Sequence, residues 1–324
     1  MAVLITGGAG YIGSHMTHAL TDRGERVVVD NLSTGVRKNM SPGVKFFDED
    51  VSNGERLRHI IHHNLVDTVM HFAGSVVVPE SVTNPLWYYA NNTAASRTLI
   101  EACVERGVKH FVFSSSAAVY GQPARIPVQE RTPPKPVSPY GWSKLMTEQM
   151  LEDTSRAHDF RYIALRYFNV AGADPLGRAG QSTPNATHLI KRAVRVALGR
   201  ERHLEVYGTD WATNDGTASR DYIHVSDLVD AHLLALDALR DGGPSDVINC
   251  GYGRGVTVRE VIEAVERVSG QDLPVRYRSS RAGDVWVLIA DTSRLKERFG
   301  WEPKYNDLET IVRSAFEWER DHCG

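Results

Sequence analysis

TGGAGYIG, residues 6–13, lies between a short apolar run, VLIT (3–6), and a helical pattern, IGSHMTHALTDRG (12–24). Gly7, Gly10 and Gly13 recur every third residue. Glycines allow a turn with positive φ and let the backbone approach a ligand closely. The helix that follows offers unpaired N–H groups and the positive end of its dipole, which suits a pyrophosphate. A glycine repeat alone is a weak signal. Strand, turn and helix in this order make it a dinucleotide-binding fingerprint. The plain alternative is a tight turn with no ligand.

Seventeen residues after Gly13 stands Asp30, closing a second apolar run, RVVVD (26–30). A carboxylate there can accept from ribose hydroxyls and would repel a 2′-phosphate, so NAD is favoured over NADP. Arg37 lies further on and is the residue that would offset this preference. Asp50, followed by Val51, ends the third run, VKFF (44–47), where an adenine edge is within reach; a solvated loop acid is the rival reading.

Further runs at 66–72, 110–115 and 162–168 alternate with helical patterns at 86–106 and 140–157. Strands that alternate with helices imply right-handed crossovers and a parallel sheet covered on both faces. The expected fold is α/β: a Rossmann-type doubly wound parallel sheet with a smaller, interleaved C-terminal substrate lobe. Residues 1–170 make the nucleotide domain, with a returning segment near 226–252 that includes the strand VINCG (247–251). Residues 171–324 form mainly the substrate lobe, with a helix at 186–199, a strand at 203–208 and a helix at 227–239.

The 324 residues are 42% hydrophobic and 24% charged, with a net charge of −3. That balance gives no basic field for nucleic acid or an anionic membrane. Three scattered cysteines, Cys103, Cys250 and Cys323, suggest a reducing compartment rather than a disulfide framework. The N-terminus lacks the charged region and cleavage site of a signal peptide, and no apolar run reaches spanning length. A cytoplasmic location is expected. His15, His18, His62 and His63 have no closed-site spacing, so no metal is expected.

SPYGWSKL (138–145) places Tyr140 and Lys144 four apart, on one helix face. Free tyrosine, with a pKa of about 10, is a poor base at neutral pH. A neighbouring ammonium stabilises the phenolate. Ser138 can cap the helix and Pro139 fits its first turn. Ser116, in SSSAAVYG (114–121), stands where such sheets bind ligands and can hold a reacting hydroxyl.

Together TGGAGYIG, HFAG (71–74), SSSAAVYG, SPYGWSK, RYFNVAGA and RDYIHVSDL resemble the extended short-chain dehydrogenase/reductases, and most closely the UDP-glucose 4-epimerase family. The resemblance runs through the whole chain. It implies an NAD-dependent isomerase with Tyr140 as base, Lys144 as ribose-binding partner and Ser116 holding the substrate. It implies cofactor contacts from Gly7, Gly10, Tyr11, Ile12, Gly13, Asp30, Asn31, Asp50 and Val51. Phe72, Ala73, Gly74, Asn91, Ser114, Tyr140, Lys144 and Tyr167 complete that set. For a UDP-sugar it implies Ser116, Tyr140, Asn169, His188, Leu189, Tyr207, Arg220, Arg281 and Asp284. Ion pairs of Arg220 with Asp221 or Asp227, and a packed core ring for Tyr207, are the structural alternatives. The resemblance also implies a homodimer through a four-helix bundle, built from the helix at 86–106 and the one carrying Tyr140.

The chain departs from the family pattern at four places. Val76 replaces a lysine, Ala118 a threonine, His188 an asparagine and Leu288 a bulky tyrosine found in some members. The last change opens room for a 2-acetamido group. UDP-xylose or UDP-N-acetylglucosamine 4-epimerisation, and a non-catalytic NAD-binding regulator, are the alternatives. A dehydratase is disfavoured by Ala117 and Ala118, which offer no acid beside Ser116.

Overall fold

The computed structural model describes residues 2–183, 186–280 and 284–323. Arg281, expected at the substrate phosphates, lies outside them. The strands are β1 (Ala2–Thr6), β2 (Glu25–Asp30), β3 (Lys45–Asp48), β4 (Val66–His71), β5 (His110–Ser116), β6 (Arg161–Tyr167), β7 (Asn169–Ala171), β8 (Leu204–Tyr207), β9 (Ser219–His224), β10 (Asp246–Cys250), β11 (Gly255–Thr257), β12 (Val275–Arg278) and β13 (Val287–Leu288). The helices are α1 (Tyr11–Ala19), α2 (Gly54–His63), α3 (Val78–Thr83), α4 (Pro85–Tyr88), α5 (Ala95–Glu105), α6 (Pro139–Ala157), α7 (Leu189–Ala197), α8 (Val225–Arg240), α9 (Val258–Ser269), α10 (Ser293–Phe299) and α11 (Leu308–His322).

Among the described residues, seven parallel strands form the main sheet in the order β10-β6-β5-β4-β1-β2-β3. Every residue of β1 is buried, as a strand covered on both faces must be. One face packs Leu57, Ile60 and Ile61 of α2 with Leu99 and Cys103 of α5. The other packs Met16 of α1 with Leu228, Ala235 and Leu236 of α8. The strand read at 247–251 is β10, and it joins the sheet beside β6. A smaller sheet, β11-β9-β13 with β7 beside β9, and the pair β8–β12 carry the second lobe. Its apolar cluster draws on α7, α9 and α11.

The long helical pattern at 86–106 departs from a plain α-helix. It is α4 and α5 joined by a π segment, Tyr89–Ala94. Asn91 and Asn92 sit in that wider turn. Asn92 Oδ1 accepts from the Ser75 amide at 2.8 Å and Asn92 Nδ2 donates to the Ser75 carbonyl at 3.0 Å. A π turn gains room for such contacts at the cost of regular pairing.

Glu319 of α11, fully buried, closes the second lobe over a long sequence distance. Its carboxylate takes Lys191 of α7, Arg195 at 3.3 Å and Arg200 at 3.1 Å. Among the described residues, no helix is long and apolar enough to cross a membrane.

The order of the main sheet turns at β1, which pairs with β2 on one side and β4 on the other. Just past their ends the backbones nearly touch. A Cβ added at Gly7, whose φ is +68°, would stand 2.6 Å from the Ala73 nitrogen. At Gly10 the nearest atom would be the Gly7 carbonyl oxygen, at 3.1 Å. Gly7→Ala is therefore expected to destabilise the fold by about 1–3 kcal/mol, and Gly10→Ala by less. Urea unfolding midpoints check this; equal midpoints for the two variants would contradict it.

Candidate active site

The crevice opens at the carboxyl ends of β1, β4 and β5, where doubly wound sheets bind their ligands. The glycine turn enters it first. A Cβ at Gly13 would lie 2.2 Å from the Gly7 carbonyl oxygen, so the loop packs on itself as well as on Ala73. Ser14 N donates to the Gly10 carbonyl at 3.0 Å, starting α1 directly behind the loop. The space kept free of side chains fits a pyrophosphate at a helix N-terminus.

Asp30 sits at the end of β2 with its carboxylate on the loop. Oδ2 accepts from Ala9 N at 2.9 Å, and Oδ1 from Leu32 N at 2.8 Å. Burial raises its pKa above the ordinary value, and the amides of Ala9, Leu32 and Gly10 oppose the shift. These amides leave carboxylate lone pairs for ribose hydroxyls. Arg37, the residue that might have welcomed a 2′-phosphate, lays its guanidinium 4.5 Å from the centre of the Phe46 ring. Asn31 Nδ2 donates to Asp50 Oδ2 at 2.7 Å, so these two expected cofactor residues meet each other, and Val51 beside them is buried.

Tyr11 Oη donates to the Gly172 carbonyl at 2.6 Å, tying the loop to the segment after β7. Ile12 packs into the apolar core. Phe72 N donates to the Thr6 carbonyl at 3.0 Å, which keeps β4 and β1 paired into the crevice. Gly74, with φ +149°, faces Asn92 and Lys144: a Cβ there would stand 3.1 Å from Asn92 Oδ1 and 3.9 Å from Lys144 Nζ. Asn91 Nδ2 donates to Ser75 Oγ at 2.9 Å. Asn92, absent from the sequence-based site, does more: its amide also reaches Ser143 Oγ of α6 at 3.1 Å. Two consecutive asparagines, poor helix formers, inside a helical pattern were the available signal.

Ser138 Oγ accepts from Gly141 N at 3.2 Å and Pro139 opens the first turn, so α6 begins as the sequence indicates. Tyr140 and Lys144 are both buried on its inner face. Lys144 Nζ donates to the Ser114 carbonyl at 2.8 Å and stands 5.9 Å from the Tyr140 ring centre. Burial lowers its pKa to about 8, against an upward pull from Glu148. Burial raises the Tyr140 phenol above its ordinary value, and a hydrogen bond with Ser116 lowers it. This corrects the sequence reading, in which the lysine, with the positive end of the helix dipole, depresses the phenol: in the chain by itself burial prevails, and the opposing contact is the serine. Ser114 Oγ and the Tyr167 hydroxyl are hydrogen-bonded on the other side of β5 and β6.

A cleft is lined by Asn169, Gly172, Gln181, His188, Leu189 and Trp318, among others. Three expected substrate residues, Asn169, His188 and Leu189, thus come together. Gln181 Nε2 donates to His188 Nδ1 at 2.7 Å, leaving the ring proton on Nε2. Burial and the nearby Lys191 hold this histidine below its ordinary pKa, so it is a neutral donor.

Arg220 donates to the Ser219 carbonyl at 2.9 Å and to the Val285 carbonyl. The two acids proposed as its ion-pair partners have other tasks. Asp221 accepts from the amides of Tyr252 at 2.8 Å, Gly253 at 2.8 Å and Ala290 at 3.1 Å. Asp227 accepts from Lys304 N, Tyr305 N and the Tyr252 hydroxyl. Asp284 follows the undescribed residues 281–283 and precedes Val285, whose carbonyl Arg220 reaches. Tyr207, half-buried on β8, donates to Glu205 Oε2 at 2.5 Å.

Of the four departures, Val76 is exposed, and Ala118 N donates to Ser116 Oγ at 3.2 Å. Leu288 is buried and packs with Ala117, Val119 and Phe168. His15 Nδ1 donates to the Tyr11 carbonyl at 2.7 Å, and His18 Nε2 to the Asn39 carbonyl at 3.1 Å. Among the described residues, no group of three or more His, Cys, Asp or Glu side chains is placed to hold a metal ion.

Comparison with known proteins agrees with this geometry. The profile of the NAD dependent epimerase/dehydratase family matches residues 3–251. The UDP-glucose 4-epimerase of Azospirillum brasilense is 56% identical, over 98% of this chain and 92% of its own. The structure of UDP-glucose 4-epimerase from Bifidobacterium longum, in complex with NAD+ and UDP, superposes with a TM-score of 0.95 at 35% identity, covering 99% of both chains. That of the UDP-Glc/GlcNAc 4-epimerase from Campylobacter jejuni gives 0.85 at 47% identity, covering 98% of this chain and 99% of its own. The chain belongs to the NAD-dependent epimerase/dehydratase family and, within it, to the UDP-glucose 4-epimerases.

Proposed function

We propose that this chain interconverts UDP-glucose and UDP-galactose by inverting C4, with NAD held throughout turnover. The observation that carries the reading is the convergence at one crevice of the glycine turn, Asp30, and the Ser116–Tyr140 pair beside Lys144. The chemistry NAD supplies, when bound, is reversible hydride transfer at the sugar carbon. Gly7, Gly10 and Gly13 leave room for its pyrophosphate, Asp30 takes its adenosine ribose, and Lys144 its nicotinamide ribose.

Tyr140 accepts the proton of the sugar O4 and later returns it, while Ser116 holds that oxygen in place. Burial opposes ionisation of the phenol, so Tyr140 needs added positive charge to act as base. Lys144 contributes part of that charge. Asn169, His188 and Arg220 hold the diphosphate, and an arginine fork suits its oxygens. Leu189 and Tyr207 complete the uridine end, and Arg281 with Asp284 holds the phosphates and the uridine ribose. Anchoring the nucleotide while leaving the hexose loosely held lets the 4-keto sugar turn its other face before reduction. Residues 1–170, with the returning segment 226–252, serve the cofactor; residues 171–324 serve mainly the UDP-sugar.

A broader scope is favoured by Leu288, smaller than tyrosine, and by the Campylobacter relative named for both UDP-Glc and GlcNAc. We also assign a homodimer. Leu86 is 80% exposed, with Trp87, Trp142 and Met146 each more than 40% exposed, at the starts of α4 and α6. An apolar patch of this kind suits a four-helix contact between two copies.

Purified protein is expected to convert UDP-galactose to UDP-glucose without added reductant; absence of product would refute the assignment. UDP-N-acetylgalactosamine and UDP-xylose, assayed alongside, measure the scope. Tyr140→Phe is expected to lower kcat by about 10²–10⁴-fold with UDP affinity unchanged by calorimetry; wild-type kcat would remove Tyr140 from the base role. Leu86→Glu with Met146→Glu is expected to give monomers in sedimentation velocity, and a persistent dimer would place the interface elsewhere.

A further inference from the structure

Three consecutive serines at the end of β5 each meet a different turn of α6. Ser116 pairs with Tyr140, the Ser114 carbonyl with Lys144, and Ser115 Oγ with the Glu148 carboxylate. Tyr140, Lys144 and Glu148 follow one another at intervals of four, so they line one helix face. The third member has no part in the mechanism above. Yet its side chain is almost out of water and fully engaged. Arg166 grips it with Nε at 2.9 Å and Nη2 at 2.6 Å. Ser115 and Arg166 are paired across β5 and β6, so both converge on this carboxylate from the sheet.

We propose that Glu148 is a positioning residue that keeps Lys144 cationic beside the base. The inference rests on Tyr140 and Lys144 serving as the base and its partner. A buried ammonium with a single carbonyl acceptor tends to lose its proton. A carboxylate one turn away on the same helix counters that tendency. Arg166 also serves two acceptors besides Glu148. Its Nη1 donates to the Tyr120 hydroxyl at 2.9 Å and towards the Glu130 carbonyl at 3.4 Å.

The other groups around the pair are set apart from this exchange. Lys144 faces Tyr140 on its own helix, the Phe113 ring of β5 at 5.0 Å, and His71 of β4. Burial, aided by Lys144, lowers His71 to about 3, so it stays neutral. Glu148 faces Arg166 and Tyr162 of β6 and Tyr120 after β5. Burial pushes both of these tyrosines up, so neither is charged near neutrality. Glu152, the next acid on α6, pairs with Arg156. Against its burial, Lys144 is pulled upward in pKa by Glu148.

The test compares wild type, Glu148→Gln and Glu148→Asp as NAD-loaded enzyme. The Lys144 Cε resonance is followed by ¹³C NMR against pH and assigned by its loss in Lys144→Arg. Removing the charge is expected to move the lysine midpoint down by about one unit or more. The alkaline limb of kcat should move with it. Glu148→Asp should restore both. A merely structural role would lower stability without shifting either midpoint. If Glu148→Gln does not fold, Glu148→Gln with Arg166→Met removes both charges, and a smaller downward shift is expected. A wild-type midpoint in the folded Gln variant, or in that double variant, overturns the proposal. The NMR midpoint does not depend on turnover. A shift without epimerase activity would therefore sink the functional reading alone, and activity with an unmoved midpoint would sink this one alone.

Discussion

An ammonium group almost removed from water lies where β5 meets α6, and much of the surrounding structure compensates it. Burying a charge in an apolar interior costs several kcal/mol unless hydrogen bonds and opposite charge offset it. The Ser114 carbonyl supplies one partner at 2.8 Å, at the last turn of the strand's path into the crevice. The Glu148 carboxylate acts from one turn along the helix, and it in turn requires Ser115 and Arg166. Arg166 draws in Tyr120, and the Tyr120 hydroxyl donates to Asn249 of β10 at 2.7 Å. A charge needed at one atom thus dictates polar residues on β5, β6, α6 and β10, inside what is otherwise an apolar sheet.

The two ends of the crevice use different means. At the glycine turn the requirement is for missing side chains: Gly7 against Ala73, and Gly13 against Gly7. At the cleft of Asn169 and His188, residues of β7, α7 and β9 gather from separate parts of the chain. Their backbones are held by buried carboxylates that collect amides. Asp221 fixes the segment at Tyr252–Gly253 and β13's continuation at Ala290, immediately beside Arg220. Three amides do not fully offset its burial, which raises its pKa to about 6. Asp221 is a structural acid whose neighbour in sequence is assigned to the ligand.

Much of this was legible in the residues themselves. The glycine turn, Asp30, the SerProTyr start of α6 and the serine run are local patterns whose spacing states their geometry. The expected sheet, including the return of the strand at 247–251, follows from strand–helix alternation and the right-handed crossover rule. What escaped was long-range or masked by an ordinary pattern. Asn92 sits in what reads as a plain helix, because hydrophobic periodicity does not register one π turn. The contact of Glu148 with Arg166, eighteen residues on, is not written in any local spacing. Asp221 and Asp227 look like salt-bridge partners for Arg220, because sequence proximity says nothing about which backbone amides will need acceptors. The phenol of Tyr140 is the subtlest case: its spacing to Lys144 is plain, but the weight of burial on it depends on everything packed around it.

The Glu319 cluster joins parts of the second lobe that lie far apart in the chain. Lys191, Arg195 and Arg200 approach one carboxylate more than a hundred residues downstream. Contacts of such separation form slowly, since a large loop must close before they reward it. Trp318, adjacent to that carboxylate, also lines the cleft of Asn169 and His188. The wall of that cleft is therefore held by a carboxylate that joins α11 to α7 across the sequence.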